Sequence, residues 1–198
     1  VLFRSVYSPV LATLSLENIE FFKSGVGTPH IINGQFQDLF AVFGGAGSTL
    51  SLIIAMLLFC RSKRITELGK LSLIPGIFGI NEPIIFGLPM VLNPVMVVPF
   101  ILTPLFNIVV SYTSMAMKLV PITNGVTIPW TTPPVISGFL ATDWRGAVLQ
   151  IILIIAGIFI YMPFIKVMDK QYLADEAKAV DVTTNDDIDL DNLSFDDL

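Results

Sequence analysis

The sequence has one cysteine, Cys60, and one histidine, His30, in 198 residues. A single cysteine excludes an internal disulfide framework. With both side chains so scarce, there is no His/Cys cluster to ligate a metal, and Cys60, ending an apolar run beside Arg61, reads as a packed apolar cysteine before a reactive thiol. Charge is scarce too: charged residues make up 14% of the chain, and between Leu71 and Thr142 only Glu82 and Lys118 carry charge. No basic stripe forms a nucleic-acid footprint, so nucleic acid is excluded as a partner. No fixed-period repeat is present. The chain begins with neither Met nor a signal peptide. Val1 to Ser5 read as a cloning or assembly scar, and the expectation is a C-terminal fragment of a longer protein.

What is abundant is apolar surface. Hydrophobic residues make up 54% of the chain and mean hydropathy is +0.78, the usage of an integral membrane protein. The formal net charge of −5 is uneven. Residues 169–198 contain ten acidic and two basic side chains, while the preceding 168 residues carry a net +3. The expected division is a connecting segment over 1–38, a membrane domain over 39–168 and an acidic tail over 169–198, disordered beyond about Asp181.

Within the first segment, Leu14 to Lys23 reads as a short amphipathic helix closed by Ser24-Gly25, and His30 as a polar loop residue. Leu39 to Cys60 is the first spanning candidate; as a helix its 22 residues reach about 33 Å, enough for the hydrocarbon core. Gly44-Gly45-Ala46-Gly47-Ser48 within it suits close backbone packing or contact with a ligand. Arg61, Lys63, Arg64 and Lys70 follow and set the cytoplasmic side. Leu71 to Leu92 is interrupted by Gly76, Gly79, Pro83, Gly87 and Pro89 and reads as two half-helices in a re-entrant hairpin. Asn93 to Lys118 is a proline-kinked crossing. Val120 to Thr142 is broken again, and Arg145 to Lys166 is the last span. The fold expected is all-α and membrane-embedded, with transmembrane helices, two re-entrant or broken-helix hairpins and a cytoplasmic C-terminus. Ten of the thirteen prolines fall between Pro75 and Pro134, the discontinuous arrangement that transporters use at midplane binding sites.

The chemistry centres on Glu82. Apolar runs flank it on both sides, and a carboxylate so placed is costly unless it faces a cavity or the protein interior. Asn81-Glu82-Pro83 also reads as the start of a half-helix whose positive end favours the acid. A carboxylate, an amide, several threonines and Trp130 suit a neutral polyhydroxyl ligand: the acid accepts from hydroxyls, and the indole covers a sugar face. They suit a metal or a phosphorylated ligand poorly, with no ligand cluster and no arginine in the broken segments. Each residue also has a plainer role: Glu82 as acceptor for loosened hairpin amides, Asn81 as a helix cap, Trp130 as an interfacial anchor, the threonines as partners for backbone groups.

Gly79 to Met96 (Gly-Ile-Asn-Glu-Pro-Ile-Ile-Phe-Gly-Leu-Pro-Met-Val-Leu-Asn-Pro-Val-Met) resembles the signature of the IIC component of the bacterial sugar phosphotransferase system (PTS), in its lactose/cellobiose/diacetylchitobiose group. Leu16-Glu17-Asn18-Ile19, Asp38 with Phe43 to Leu50, and Ile128 to Pro133 agree, so the resemblance runs from about Val10 to Met168. It implies a plasma-membrane permease that binds a β-linked disaccharide at mid-membrane. A phosphocysteine on the partner IIB, charged through IIA, phosphorylates the sugar during translocation. Glu82 would be the acid contacting the reacting hydroxyl, and Asn81, Glu82 and Trp130 would bind the sugar. The chain would bring no cofactor and no nucleophile of its own, and the full-length protein would be a homodimer. The family's histidine, in a Gly-Ile-His-Gly-like motif, is absent from this stretch, and His30 does not match it. The competing expectation is an ion-coupled sugar transporter with Glu82 as proton carrier, separable by its need for a proton gradient instead of IIB and phosphoenolpyruvate.

Overall fold

The structure, a computed structural model, describes residues 2–25, 27–88, 90 and 93–185. All regular elements among them are helical: α1 (Leu2–Lys23), α2 (Gly34–Phe36), α3 (Thr49–Phe59), α4 (Lys63–Ile77), α5 (Glu82–Gly87), α6 (Pro94–Ala116), α7 (Ile136–Ala141) and α8 (Trp144–Asn185). A π-helical turn (Gln37–Ala41) and a 3-10 turn (Ala46–Ser48) lie between α2 and α3. Three stretches are long and apolar enough to cross a membrane: Gly34–Phe59, Pro94–Ala116 and the helix from Trp144 to Lys178.

These helices are apolar outside and partly polar inside. The inward face of α6 is Met96, Pro99, Thr103, Asn107, Ser111 and Met115, spaced three or four residues apart. Its outward face exposes Ile101, Leu105, Phe106 and Val109. Such a distribution suits lipid, where small and polar side chains mediate helix contacts. Asn107 donates from Nδ2 to Ser48 Oγ at 2.9 Å, tying α6 to the start of α3. Two apolar cores result. One gathers Leu52, Met56, Ile84, Met96, Tyr161 and Ile165, with Cys60 packed at its edge. The other gathers Phe36, Phe40, Met115, Ile128, Leu149 and Leu153.

The first spanning candidate, expected as an unbroken helix over Leu39 to Cys60, is interrupted at residues 42–45. Gly44 and Gly45 there, and Gly47 just beyond, have positive φ, a region β-carbon-bearing residues avoid and a right-handed helix cannot contain. The segment over Leu71 to Leu92 has the expected helix–break–helix form. Its first helix begins earlier, at Lys63, because Ser62 caps it with its hydroxyl (Ile65 N–H to Ser62 Oγ, 3.4 Å). Pro89, Val91 and Leu92 lie outside the described residues. Val120 to Thr142 does not form a pair of half-helices. It carries the six-residue α7 after a long irregular run, since Pro121, Pro129, Pro133 and Pro134 lack the N–H a helix needs. Buried Asn18 and Asn33 hold that run: Nδ2 of Asn18 donates to the Thr123 carbonyl at 3.3 Å, and Nδ2 of Asn33 donates to the Thr123 hydroxyl at 2.7 Å. The short helix expected over Leu14 to Lys23 is the end of the 22-residue α1.

The last helix does not stop at Lys166 but continues to Asn185. The acidic run 186–198, where most of the expected disorder falls, lies outside the described residues. The first acidic residues past the apolar stretch are engaged. The Asp169 carboxylate accepts from the backbone N–H of Arg61 at 3.0 Å and of Ser62 at 2.8 Å. Glu176 accepts from the Ser62 hydroxyl at 2.7 Å and from Arg64 N–H at 3.1 Å, and the Arg64 guanidinium lies 4.9 Å from the Tyr172 ring centre. Two carboxylates thus meet the unsatisfied N–H groups and positive end of α4. The Ser62 hydroxyl first, then the Arg64 N–H, hold the Glu176 carboxyl below its ordinary value. A lowered folded-state pKa contributes stability above the unfolded value of ~4.3, and that stability is lost as pH falls through the folded value. Glu176→Gln should therefore lower the thermal midpoint at pH 7, and the gap to wild type should close as pH drops below about 4. A gap constant across that range would show that the bond to Ser62 does not depend on charge.

Candidate functional site

The break between α4 and α5 follows from its residues. Pro75 cannot donate to the ladder, and its carbonyl accepts from both Phe78 and Ile80 N–H at 3.0 Å, closing α4 in a tight turn. Asn81 then occupies the N-cap position, with Glu82 first in α5 and Pro83 beside it, the position where a missing N–H costs nothing. Fully buried Ile84 anchors α5 in the first core, which fixes the side of the break Glu82 faces.

Asn81 does not cap α5 with its side chain. Its Nδ2 donates to the Ala46 carbonyl at 3.0 Å, across 35 residues, joining the two broken segments. The other side of the glycine loop is held by Tyr161, fully buried, whose hydroxyl donates to the Gly47 carbonyl at 2.7 Å. Trp130 reaches the same place from the irregular run. Gly79 lets it in: a β-carbon at that position would sit 3.1 Å from the Trp130 carbonyl and 3.2 Å from the indole Cε3.

An open cleft of about 510 Å³ results, and Asn81, Glu82 and Trp130 all line it. Glu82 is exposed on its wall, and its carboxylate makes no hydrogen bond or ion pair among the described residues. It is therefore not the acceptor for the hairpin amides. Trp130 is 61% exposed, so most of its ring is available to cover a ligand. The structure thus brings together the three residues singled out in the sequence. The threonines divide: Thr123 is buried and bonded to Asn33, while Thr127 lines a separate cavity. His30 is remote from the cleft lining; its Nε2 lies 2.6 Å from Glu17 Oε2.

On the opposite wall, sequence reasoning held ligand contact at Gly44 and Gly45 only as an alternative to helix packing, and gave no site role to Tyr7, Gln37 or Asp38. Gly44, Gly45, Tyr7, Gln37 and Asp38 line the cleft, and Gln37 Nε2 donates to the Tyr7 hydroxyl at 2.9 Å. A cluster of Gln35, Gln37 and Asp38 at the lip of an apolar run was the available signal. Tyr7 had none, because only the packing of α1 on α2 brings it near.

The sequence and the overall fold are shared with known proteins. The family described as "Phosphotransferase system, EIIC" matches residues 3–104. The oligo-beta-mannoside-specific EIIC component of Bacillus subtilis (strain 168) is 43% identical over 178 residues, covering 89% of this chain and 40% of that protein. The cellobiose-specific EIIC component of Geobacillus stearothermophilus is 45% identical over 175 residues, covering 86% of this chain and 39% of that protein. Among solved structures, the transporter ChbC, the IIC component of the N,N'-diacetylchitobiose-specific phosphotransferase system, superposes with a TM-score of 0.85 at 41% identity, over 88% of this chain and 41% of that one. The chain belongs to the EIIC family of the phosphotransferase system. It spans about two fifths of the length of the curated relatives it matches.

Proposed function

We propose that this chain supplies the substrate cleft of a membrane permease in a phosphoenolpyruvate-dependent sugar phosphotransferase system, and that its ligand is a β-linked disaccharide. The observation that carries the reading is the unpartnered Glu82 carboxylate facing a cleft that an exposed indole borders. A carboxylate aligns sugar hydroxyls by accepting from them, and the indole stacks on the C–H face of the ring. The backbone of Gly44 and Gly45, free of side chains, lets the ligand lie close to the opposite wall.

In the reaction proposed, the phosphorus–sulfur bond of a phosphocysteine on IIB breaks and a phosphorus–oxygen bond to the sugar hydroxyl forms. The thiolate leaves with the electron pair, and Glu82 orients the hydroxyl and takes its proton. The nucleophile is the sugar, so this chain needs none. On this reading residues 39–168 form the transport part, joined through 1–38 to an upstream half, and the cation-rich turn at Arg61 to Arg64 and the acidic tail face the cytoplasm. Both broken segments are re-entrant, and full-length subunits pair as homodimers.

The test is transport by the full-length permease in proteoliposomes. Uptake of a β-linked disaccharide should require IIB, IIA and phosphoenolpyruvate, deliver the sugar as its phosphate, and continue when a protonophore collapses the proton gradient. Accumulation of unmodified sugar that stops with the gradient would overturn the reading.

A further inference from the structure

A second cavity, of about 310 Å³, lies on the other side of Gln37 and Asp38, and these two residues line both spaces. The neighbours Tyr7 and Ser8 on α1 continue the pattern, Tyr7 lining the cleft and Ser8 the second cavity. Each volume falls in the ~300–1,000 Å³ range of small-molecule sites.

The second cavity has an unused donor. Gln35 is 7% exposed. Its Oε1 accepts from Ile128 N–H at 3.2 Å, which sets the orientation of the amide. Its Nε2 has no partner among the described residues, yet it is not one of the sealed, unsatisfied atoms of the interior. Gln35 is more than nine-tenths buried and lines this cavity, so its unpaired, still reachable Nε2 is available to a ligand there. A buried donor left without a partner costs about 1–3 kcal/mol, so a ligand acceptor there recovers free energy. The surroundings are mixed and carry one acid, Asp38: Ser8 and Thr127 offer hydroxyls, the Ser15 hydroxyl is already bonded to the Leu11 carbonyl and the Gly34 N–H, and Leu11 and Ile19 offer apolar contact. Hydroxyls with apolar patches and no cation match a neutral sugar unit, not an anion.

We infer that this cavity is a second carbohydrate subsite, continuous with the Glu82 cleft across Gln37 and Asp38, that receives the next unit of a β-linked oligosaccharide. The inference rests on the proposed function and deepens it: the disaccharide occupies the cleft, and a trisaccharide or longer chain extends past Asp38 to the Gln35 amide.

The experiment is calorimetric titration of the full-length permease with matched di- and trisaccharides (cellobiose and cellotriose, mannobiose and mannotriose, diacetylchitobiose and triacetylchitotriose). Gln35→Glu keeps the oxygen that accepts from Ile128 and replaces the donor. Ser8→Leu fills the cavity from α1 and leaves Gln35 untouched. In the series that binds, both variants should weaken the trisaccharide about 3- to 10-fold, the worth of a hydrogen bond, and leave disaccharide affinity within about twofold. Equal losses for both lengths, or none for either, would overturn the subsite while the cleft reading stands. Wild-type protein that binds no sugar of any series would overturn both.

Discussion

Glu82→Gln should leave disaccharide affinity within a few-fold of wild type while lowering IIB-dependent sugar phosphorylation about 100-fold or more. Glutamine has the same reach and keeps one carbonyl oxygen to accept from a sugar hydroxyl, so the ground state changes little. It cannot take a proton and carries no charge to match the one developing on the hydroxyl. The rate effect corresponds to about 2.7 kcal/mol of transition-state stabilisation, well within the range of a positioned base. Structural collapse would not mimic this result. Glu82 is exposed and makes no hydrogen bond among the described residues, so no interior contact is lost with its charge. The measurement is single-turnover transfer from phosphorylated IIB, alongside equilibrium binding. Phosphorylation near the wild-type rate would remove Glu82 from the chemistry; a loss of binding as large as the loss of rate would make it a ligand-holding group only.

The two halves of the site were unequally legible. Glu82 stood out because a carboxylate among apolar runs has few affordable surroundings, and the neighbouring glycines and Pro83 announced a break with a helix starting at the acid. Trp130 stood out by similar contrast, an indole within a proline-rich stretch that cannot stay helical. Three apolar runs of crossing length follow directly from composition. The opposite wall was less legible, with ligand contact at its glycines only one of two readings, for two physical reasons. Hydropathy averages over the interruption at residues 42–45, so a broken segment and an unbroken helix give the same apolar total; only the positive φ values of the glycines separate them. Tyr7 reaches the cleft through tertiary packing of α1, which no local periodicity encodes. The same limit applies to Asp169 and Glu176. By composition they belong to an acidic tail, yet geometry sets them against backbone N–H groups more than 100 residues earlier.

Gly45→Val should abolish sugar binding, with affinity falling about 100-fold or more, and should lower the thermal midpoint as well. Gly45 has φ 96° and ψ 172°, a region that only glycine populates freely, and a β-branched residue there costs of order 1–3 kcal/mol or more. A contact penalty adds to the strain. A β-carbon on Gly45 would sit 2.7 Å from Asn81 Cγ and 2.8 Å from Nδ2, so the amide that donates to Ala46 must leave its place. Losing that bond uncouples the glycine loop from the Glu82 break, and the cleft loses the register between its two walls. The comparison is Gly27→Val. Gly27 has open space around its β-position and no positive φ, and binding should be unchanged there. Adding Asn81→Ala to Gly45→Val removes the obstructing amide but leaves the residue-81 β-carbon, 2.9 Å from the added one, and the backbone strain, so the thermal midpoint should recover only in part and sugar binding should stay lost. Gly45→Val protein that binds sugar with wild-type affinity would mean the loop tolerates a side chain between itself and Asn81, and the joint between the two broken segments would not be what shapes the cleft.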